Sequence, residues 1–347
     1  MNQAKLLSRP DWRLELQRAY RKPEALLTAV GLDPNEYRAD IAARELFPML
    51  VPRHFAQQIE TGNPNDPLLR QVLPLGDEFR HVDGYSQDPL QEQNSDTIID
   101  KNQGLLHKYD SRVLIILKGG CAINCRYCFR RHFPYQDVHF SQRELADTLT
   151  YLEQNPQVNE VILSGGDPLM ATDKQITAII SALDKVDTLK RVRIHSRLPV
   201  VIPSRLTDEL NSTLASSRLK VSLVLHANHA NELSPQLAAG LSTLRSSGVH
   251  LFNQSVLLKG VNDAVEVLTD LSEDLFEMDV IPYYLHQLDK VDGAAHFAIS
   301  DDCAQQLWYA LNQRLPGFLV PKLVREIGGE KSKTPIMPDG RTSQSQH

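Results

Sequence analysis

Arg112-Val113-Leu114-Ile115-Ile116-Leu117-Lys118-Gly119-Gly120-Cys121-Ala122-Ile123-Asn124-Cys125-Arg126-Tyr127-Cys128 is the stretch from which the rest of the chain is read. An apolar, β-branched run of strand character ends on two glycines, and three cysteines follow at C-x3-C-x2-C spacing. Three thiolates so placed suit three corners of a [4Fe–4S] cluster and leave the fourth iron open to a substrate or cofactor. The rival assignment is half of a zinc site, but structural zinc takes four ligands, typically as two close pairs. No second cysteine pair exists, and His132 is a lone candidate for a fourth ligand. The remaining cysteine, Cys303, lies in an apparent helix and reads as a small buried hydrophobe.

Downstream of this stretch, short β-branched runs alternate with longer helical patterns. Strands are expected at Arg112–Leu117, Glu160–Ser164, Arg191–His195, Val221–Leu225, Leu251–Leu257 and Val280–Leu285, with a last one at Phe318–Val324. Helices are expected at Gln142–Gln154, Asp173–Leu183, Leu206–Ser216, Glu232–Ser246 and Asp263–Phe276. Ser141 and Glu144 form a capping box for the first of them. This alternation implies a parallel sheet with right-handed crossovers, either open or curled into a barrel. Both versions put active-site loops at the C-terminal ends of strands, and the cysteines sit at that end of the first strand.

Upstream the pattern differs. Asp11–Ala19 and Pro23–Val30 have helical periodicity, and prolines 48, 52, 64, 67, 74 and 89 punctuate an irregular stretch that reads as a cap or collar. The expected division is a mainly helical N-terminal cap over 1–106, an α/β core over 107–315 and a C-terminal segment over 316–347, whose last six residues are polar. A chain of 347 residues that is 41% hydrophobic can bury a sizeable core. Its net charge of −6, without a Lys/Arg block, argues against a nucleic-acid partner. No apolar run approaches the roughly 20 residues that cross a bilayer, and Met1–Lys5 lack the apolar centre of a secretory signal. The expectation is a cytoplasmic protein with reduced thiols.

A second loop, Ser164-Gly165-Gly166-Asp167-Pro168-Leu169, closes the second strand. Alone it is an ordinary βα turn in which two glycines permit close backbone approach. Together with C-x3-C-x2-C and the aromatic Tyr127 before the last cysteine, it makes the chain resemble the radical S-adenosylmethionine (SAM) superfamily. The Gly-Gly-Asp-Pro-Leu form resembles the lysine 2,3-aminomutase family within it. The resemblance covers about His107 to Pro338 and implies an α/β fold, a partial (β/α)6 barrel with a C-terminal segment binding pyridoxal 5′-phosphate (PLP).

It further implies that Cys121, Cys125 and Cys128 hold the cluster, that SAM chelates the open iron, and that Ser164, Gly165, Gly166 and Asp167 contact SAM. The resulting deoxyadenosyl radical would abstract hydrogen from the substrate. Arg130, second after the last cysteine, matches the arginine that grips the substrate carboxylate, as a guanidinium fork can. Lys333, in Lys333-Thr334-Pro335-Ile336, matches the catalytic PLP lysine. Lys331 is a second candidate amine, because the family's longer glycine run is replaced here by Gly328-Gly329-Glu330-Lys331-Ser332. Asp289 and Glu326 match two family aspartates that receive the substrate ε-ammonium. Glu326 departs from the pattern by one methylene and keeps the charge.

Tyr109, Arg112, Ser196–Val200, Leu225–His229 and Leu258–Asp263 are further matching stretches near the expected pocket. The shorter form, with no cysteine cluster after Lys333, is similar to the bacterial members that make (R)-β-lysine for elongation factor P. That likeness implies L-lysine as substrate, a functional link to the factor and its β-lysine ligase, an electron donor, and a homo-oligomer without an inter-subunit zinc site. Other readings stay open here: a radical SAM enzyme acting on another amino acid, or on protein or RNA without PLP, and a non-catalytic metal-binding module.

Overall fold

The computed structural model describes residues 11–92, 98–100, 104–133, 140–330 and 332–336. Ten strands form one sheet in strict chain order. They are β1 (Ile98–Asp100), β2 (Leu105–Tyr109), β3 (Arg112–Lys118), β4 (Glu160–Gly165), β5 (Arg191–Ser196), β6 (Lys220–His226), β7 (His250–Val256), β8 (Ile281–His286), β9 (Lys322–Arg325) and β10 (Thr334–Pro335). β3 to β9 are all parallel. The β1–β2–β3 end and the β9–β10 end are antiparallel. Among the described residues β1 and β10 do not pair, so this is a partial barrel with antiparallel edges.

Helices Gln142–Gln154 and Asp173–Leu183 occur where the periodicity places them. The expected capping box also forms, with the Ser141 amide donating to Glu144 at 2.8 Å. Three starts are later than expected. Asp208–Ser216, Pro235–Ser246 and Val265–Glu277 begin after Thr207, Ser234 and Ala264. In the first two, a hydroxyl accepting an orphan backbone amide fixes the start. The last strand also shifts, from Phe318–Val324 to Lys322–Arg325, because Gly317–Leu319 turns as a 3-10 helix. Cys303 is exposed rather than buried: it sits in the first turn of helix Asp301–Arg314, which turns Ala304 and Leu311 inward instead.

The N-terminal region contributes helices Trp12–Gln17 and Pro23–Ala29 and several short turns. It also supplies β1 and β2, which irregular composition had concealed, and the expected boundary at 106/107 falls inside β2. Its apolar side chains are not a separate core. Trp12, Leu26, Phe55 and Leu69 pack in the same cluster as Ile115, Leu163, Ile194 and Leu223 of the strands. The collar also grips the cysteine loop directly. The Asn124 amide donates to the Leu50 carbonyl at 3.0 Å and the Arg126 amide to the Gln71 carbonyl at 2.9 Å. Beneath them Glu78, with no exposed side-chain surface, pairs with both Arg126 and Arg131. No helix among the described residues is long and apolar enough to cross a membrane.

Candidate active site

Cys121, Cys125 and Cys128 lie in the loop leaving β3, each partly buried. Burial pushes the Cys121 thiol well up, with Cys128, Asp167 and Cys125 adding to it. Burial and then Cys125 push Cys128 to about 11. Among the described residues no three His, Cys, Asp or Glu side chains are already drawn into a metal-holding group, yet these thiols lie within one another's electrostatic reach. Cys121 and Cys128, neighbours that resist ionisation, fit a cationic iron centre, which deprotonates and neutralises its ligands. His132 meets the Asp292 carbonyl at 3.3 Å.

The Gly165-Gly166 turn after β4 packs against that loop. Gly165 has φ +121°, and a Cβ there would stand 2.6 Å from the Lys118 carbonyl. A Cβ on Gly166 would stand 2.6 Å from the Gly120 carbonyl. Both glycines are needed so that two backbones can meet, which brings the turn's amides and carbonyls beside the cysteines. Ser164, partly exposed, pairs in register with Ile116. The Asp167 side chain is consumed by the fold. It accepts from Ser196 Oγ at 2.7 Å and from the amides of Leu169, Arg197 and Leu198 at 2.9–3.0 Å. It therefore ties the β4 loop to the β5 loop, and its backbone is engaged as well: the amide donates to the Gly120 carbonyl at 3.0 Å and the carbonyl accepts from the Met170 amide at 3.1 Å, so Asp167 shapes the loop.

Arg130 is 8% exposed. Its fork is filled by Glu92: Nε and Nη2 donate to the two carboxylate oxygens at 2.6 and 2.7 Å, while Nη1 donates to the Gly165 carbonyl at 3.1 Å. Glu92 follows a stretch that is pinned to the loop after β8, where the Ser86 amide donates to Lys290 O at 3.0 Å and the Asp292 amide to Ser86 O at 2.9 Å. Sequence reasoning missed Glu92, because it stands in a Pro-punctuated stretch with no motif.

The acidic pair lies in the same interior. Asp289 feels Glu326, Lys333, Glu92 and Arg130, and burial followed by Glu326 pushes its carboxyl to about 7. Burial alone would raise Glu326 as well, but Lys333 outweighs it and holds that carboxyl at about 2. Lys333 immediately precedes β10, paired with Glu326 and 5.5 Å from the centre of the Tyr284 ring. Lys108 and the Tyr109 hydroxyl reach the other Glu326 oxygen at 3.3 and 3.2 Å. Arg112 lies 3.8 Å over the Tyr109 ring. His195 and His286 are held neutral by burial and the surrounding cations, His286 at about 3. His195 Nε2 is buried with no partner among the described residues. A partly buried amine beside aromatic rings and an unpartnered imidazole fits a PLP-sized aromatic aldehyde. Lys331 lies outside the described residues.

Comparison with known proteins identifies the family. The profile of the Radical SAM superfamily matches residues 115–271. The chain is 50% identical to the L-lysine 2,3-aminomutase of Escherichia coli (strain K12) over 95% of both chains. It is 34% identical to the L-lysine 2,3-aminomutase of Clostridium subterminale, over 96% of this chain and 80% of that one. A solved radical SAM methyltransferase from Sphaerobacter thermophilus overlaps 64% of this chain and 68% of its own at 16% identity and a TM-score of 0.45. Parallel strands bearing a C-x3-C-x2-C loop on the first of them define a radical SAM enzyme, a class whose members use a [4Fe–4S] cluster and SAM. Within that class the chain belongs to the lysine 2,3-aminomutase family and, as an aminomutase, is an isomerase.

Proposed function

We propose that this enzyme converts L-α-lysine into (R)-β-lysine, with PLP held by Lys333. The observation that carries the reading is a single interior in which Asp289 lies within electrostatic reach of both the guanidinium fork of Arg130 and the carboxylate of Glu326. A diamino acid has complementary ends. Arg130 takes the α-carboxylate in place of Glu92, and Asp289 with Glu326 takes the ε-ammonium once Lys333 is engaged elsewhere. A dicarboxylate would meet two carboxylates at the far end and be repelled. Neutral His195 and His286 add no charge against an incoming ammonium.

Cluster and SAM together supply hydrogen-atom abstraction, and PLP carries the migrating amino group. The chain's own part is orientation, so that one C–H bond and no other faces the cysteine loop. Tyr284 lies beside the Lys333 amine, while Tyr109, stacked under Arg112, shares its partner Glu326. A link to elongation factor P modification belongs to the same proposal and follows from the sequence resemblance. The working form is a cytoplasmic homo-oligomer supplied by a separate electron donor. Anaerobic incubation of cluster-loaded enzyme with SAM, PLP, reductant and either free lysine or unmodified elongation factor P, followed by chiral amino-acid analysis, tests the reading. Free (R)-β-lysine is the expected product; its absence at full cluster loading overturns the assignment.

A further inference from the structure

Two of the matching stretches, Ser196–Val200 and Leu225–His229, have no part in the chemistry above. In the fold they meet behind the cysteine loop. Arg197 follows β5 and is 7% exposed. Its Nη1 lies 2.7 Å from Cys125 Sγ and also donates to the Tyr127 hydroxyl. Its Nη2 donates to Gln71 Oε1 at 2.7 Å and to Glu232 Oε2 at 2.9 Å. Glu232 is completely buried. Its other oxygen accepts from Gln71 Nε2 at 3.0 Å, the Asn228 amide at 2.9 Å and the His229 amide at 3.2 Å. Asn228 Nδ2 reaches the Tyr127 hydroxyl at 2.6 Å, and His226 Nε2 lies 2.8 Å from it.

A buried guanidinium is costly unless its partners are charged and fixed. Here one carboxylate neutralises it, and the collar, β5 and the loop after β6 together leave it little freedom. The remaining direction of its charge is the sulfur of Cys125. A charge-assisted donor on a cluster sulfur favours the more negative, reduced state, and hydrogen bonds to the sulfurs are among the protein's levers on cluster potential. Water does not screen this one, because the guanidinium is buried.

We propose that Arg197 is a positioning residue that raises the reduction potential of the bound cluster through its N–H···S bond to Cys125, with Glu232 as the counter-charge that limits the effect. The inference rests on the cysteines being the cluster ligands. It does not depend on the identity of the amino-acid substrate. One electron enters the oxidised cluster from an external reductant, no bond forms or breaks, and Arg197 stays protonated throughout.

The test is a redox titration of anaerobically reconstituted enzyme with dithionite, followed by the electron paramagnetic resonance signal of the reduced cluster, alongside iron and sulfide analysis. At a fixed ambient potential Arg197→Gln should lower the ratio of reduced to oxidised cluster about tenfold, which for one electron is about 59 mV more negative. Arg197→Lys keeps the charge without the fork and should fall between that and the wild type. Glu232→Gln removes the counter-charge and should shift the potential the opposite way. A merely structural role would lower cluster content and leave the potential of the loaded fraction unmoved, and that result overturns the proposal. If Arg197→Gln does not load at all, the Arg197→Lys and Glu232→Gln titrations decide, and wild-type potentials in both refute it. Wild-type enzyme that binds no iron would instead refute the assignment of the cysteines.

Discussion

Asp289 and Glu326 share one pocket but titrate far apart, at about 7 and about 2. An ammonium needs an ionised partner. The KM for lysine should therefore fall as pH rises through about 7, and Asp289→Asn should flatten that limb in a pH–rate series. The same shift acts on stability with a definite sign. The folded pKa of Asp289 lies above its ordinary value, so its contribution is most favourable at low pH and is lost as pH rises through about 7. Asp289→Asn should thus melt higher than wild type at about pH 8 while binding substrate worse. Glu92 gives a second contrast. It occupies the fork that a substrate carboxylate needs, so Glu92→Gln should lower the KM severalfold, read by initial-rate kinetics. The cysteines, Arg130, Asp289 and Lys333 could be proposed from sequence because each stands in a short motif, and the fold brings Arg130 and Lys333 within electrostatic reach of Asp289. Glu92 was not, because nothing local marks a residue whose partner lies 38 positions away.

At the scale of elements, the core's periodicity was legible and most boundaries fall within one residue of expectation; the exceptions are three helix starts and the last strand. The hydroxyl caps of Thr207 and Ser234 decide where two helices begin, and apolar spacing does not see them. The antiparallel strands β1 and β2 were missed because an edge pair can be short and irregular in composition. The junction between collar and cysteine loop was hidden for another reason: Glu78, Arg126 and Arg131 each look like surface charge until the fold buries them. Glu78→Gln leaves two buried guanidiniums short of an anion and should cost about 3–5 kcal/mol, measured by denaturant unfolding. Gly166→Ala tests the other junction. Its new Cβ cannot fit against the Gly120 carbonyl without moving the cysteine loop, so iron content after reconstitution should drop even if the fold survives.

At the scale of the whole molecule, the buried apolar side chains among the described residues form three clusters. The largest joins the collar to β3–β7. A small one under the cysteine loop contains Tyr127, Leu258 and Phe297, and another joins Leu285, Leu311 and Leu323 to Ile336. Lys333 is thus carried by a segment anchored through Ile336 on the last of these, separate from the collar–barrel core. Amide hydrogen exchange should be much faster over 332–336 than over β3–β6, and PLP should slow it. The sequence could suggest an α/β core with appendages, but only the fold shows that the collar shares the barrel's interior. One consequence concerns transplantation. Because Gln71 and Glu78 reach from the collar to the residues around the cysteines, a chimera that borrows only the barrel from a relative would inherit mismatched neighbours for Arg126, Arg131 and Arg197. Collar and barrel must be exchanged together, and divergence in one should be tracked by compensating change in the other.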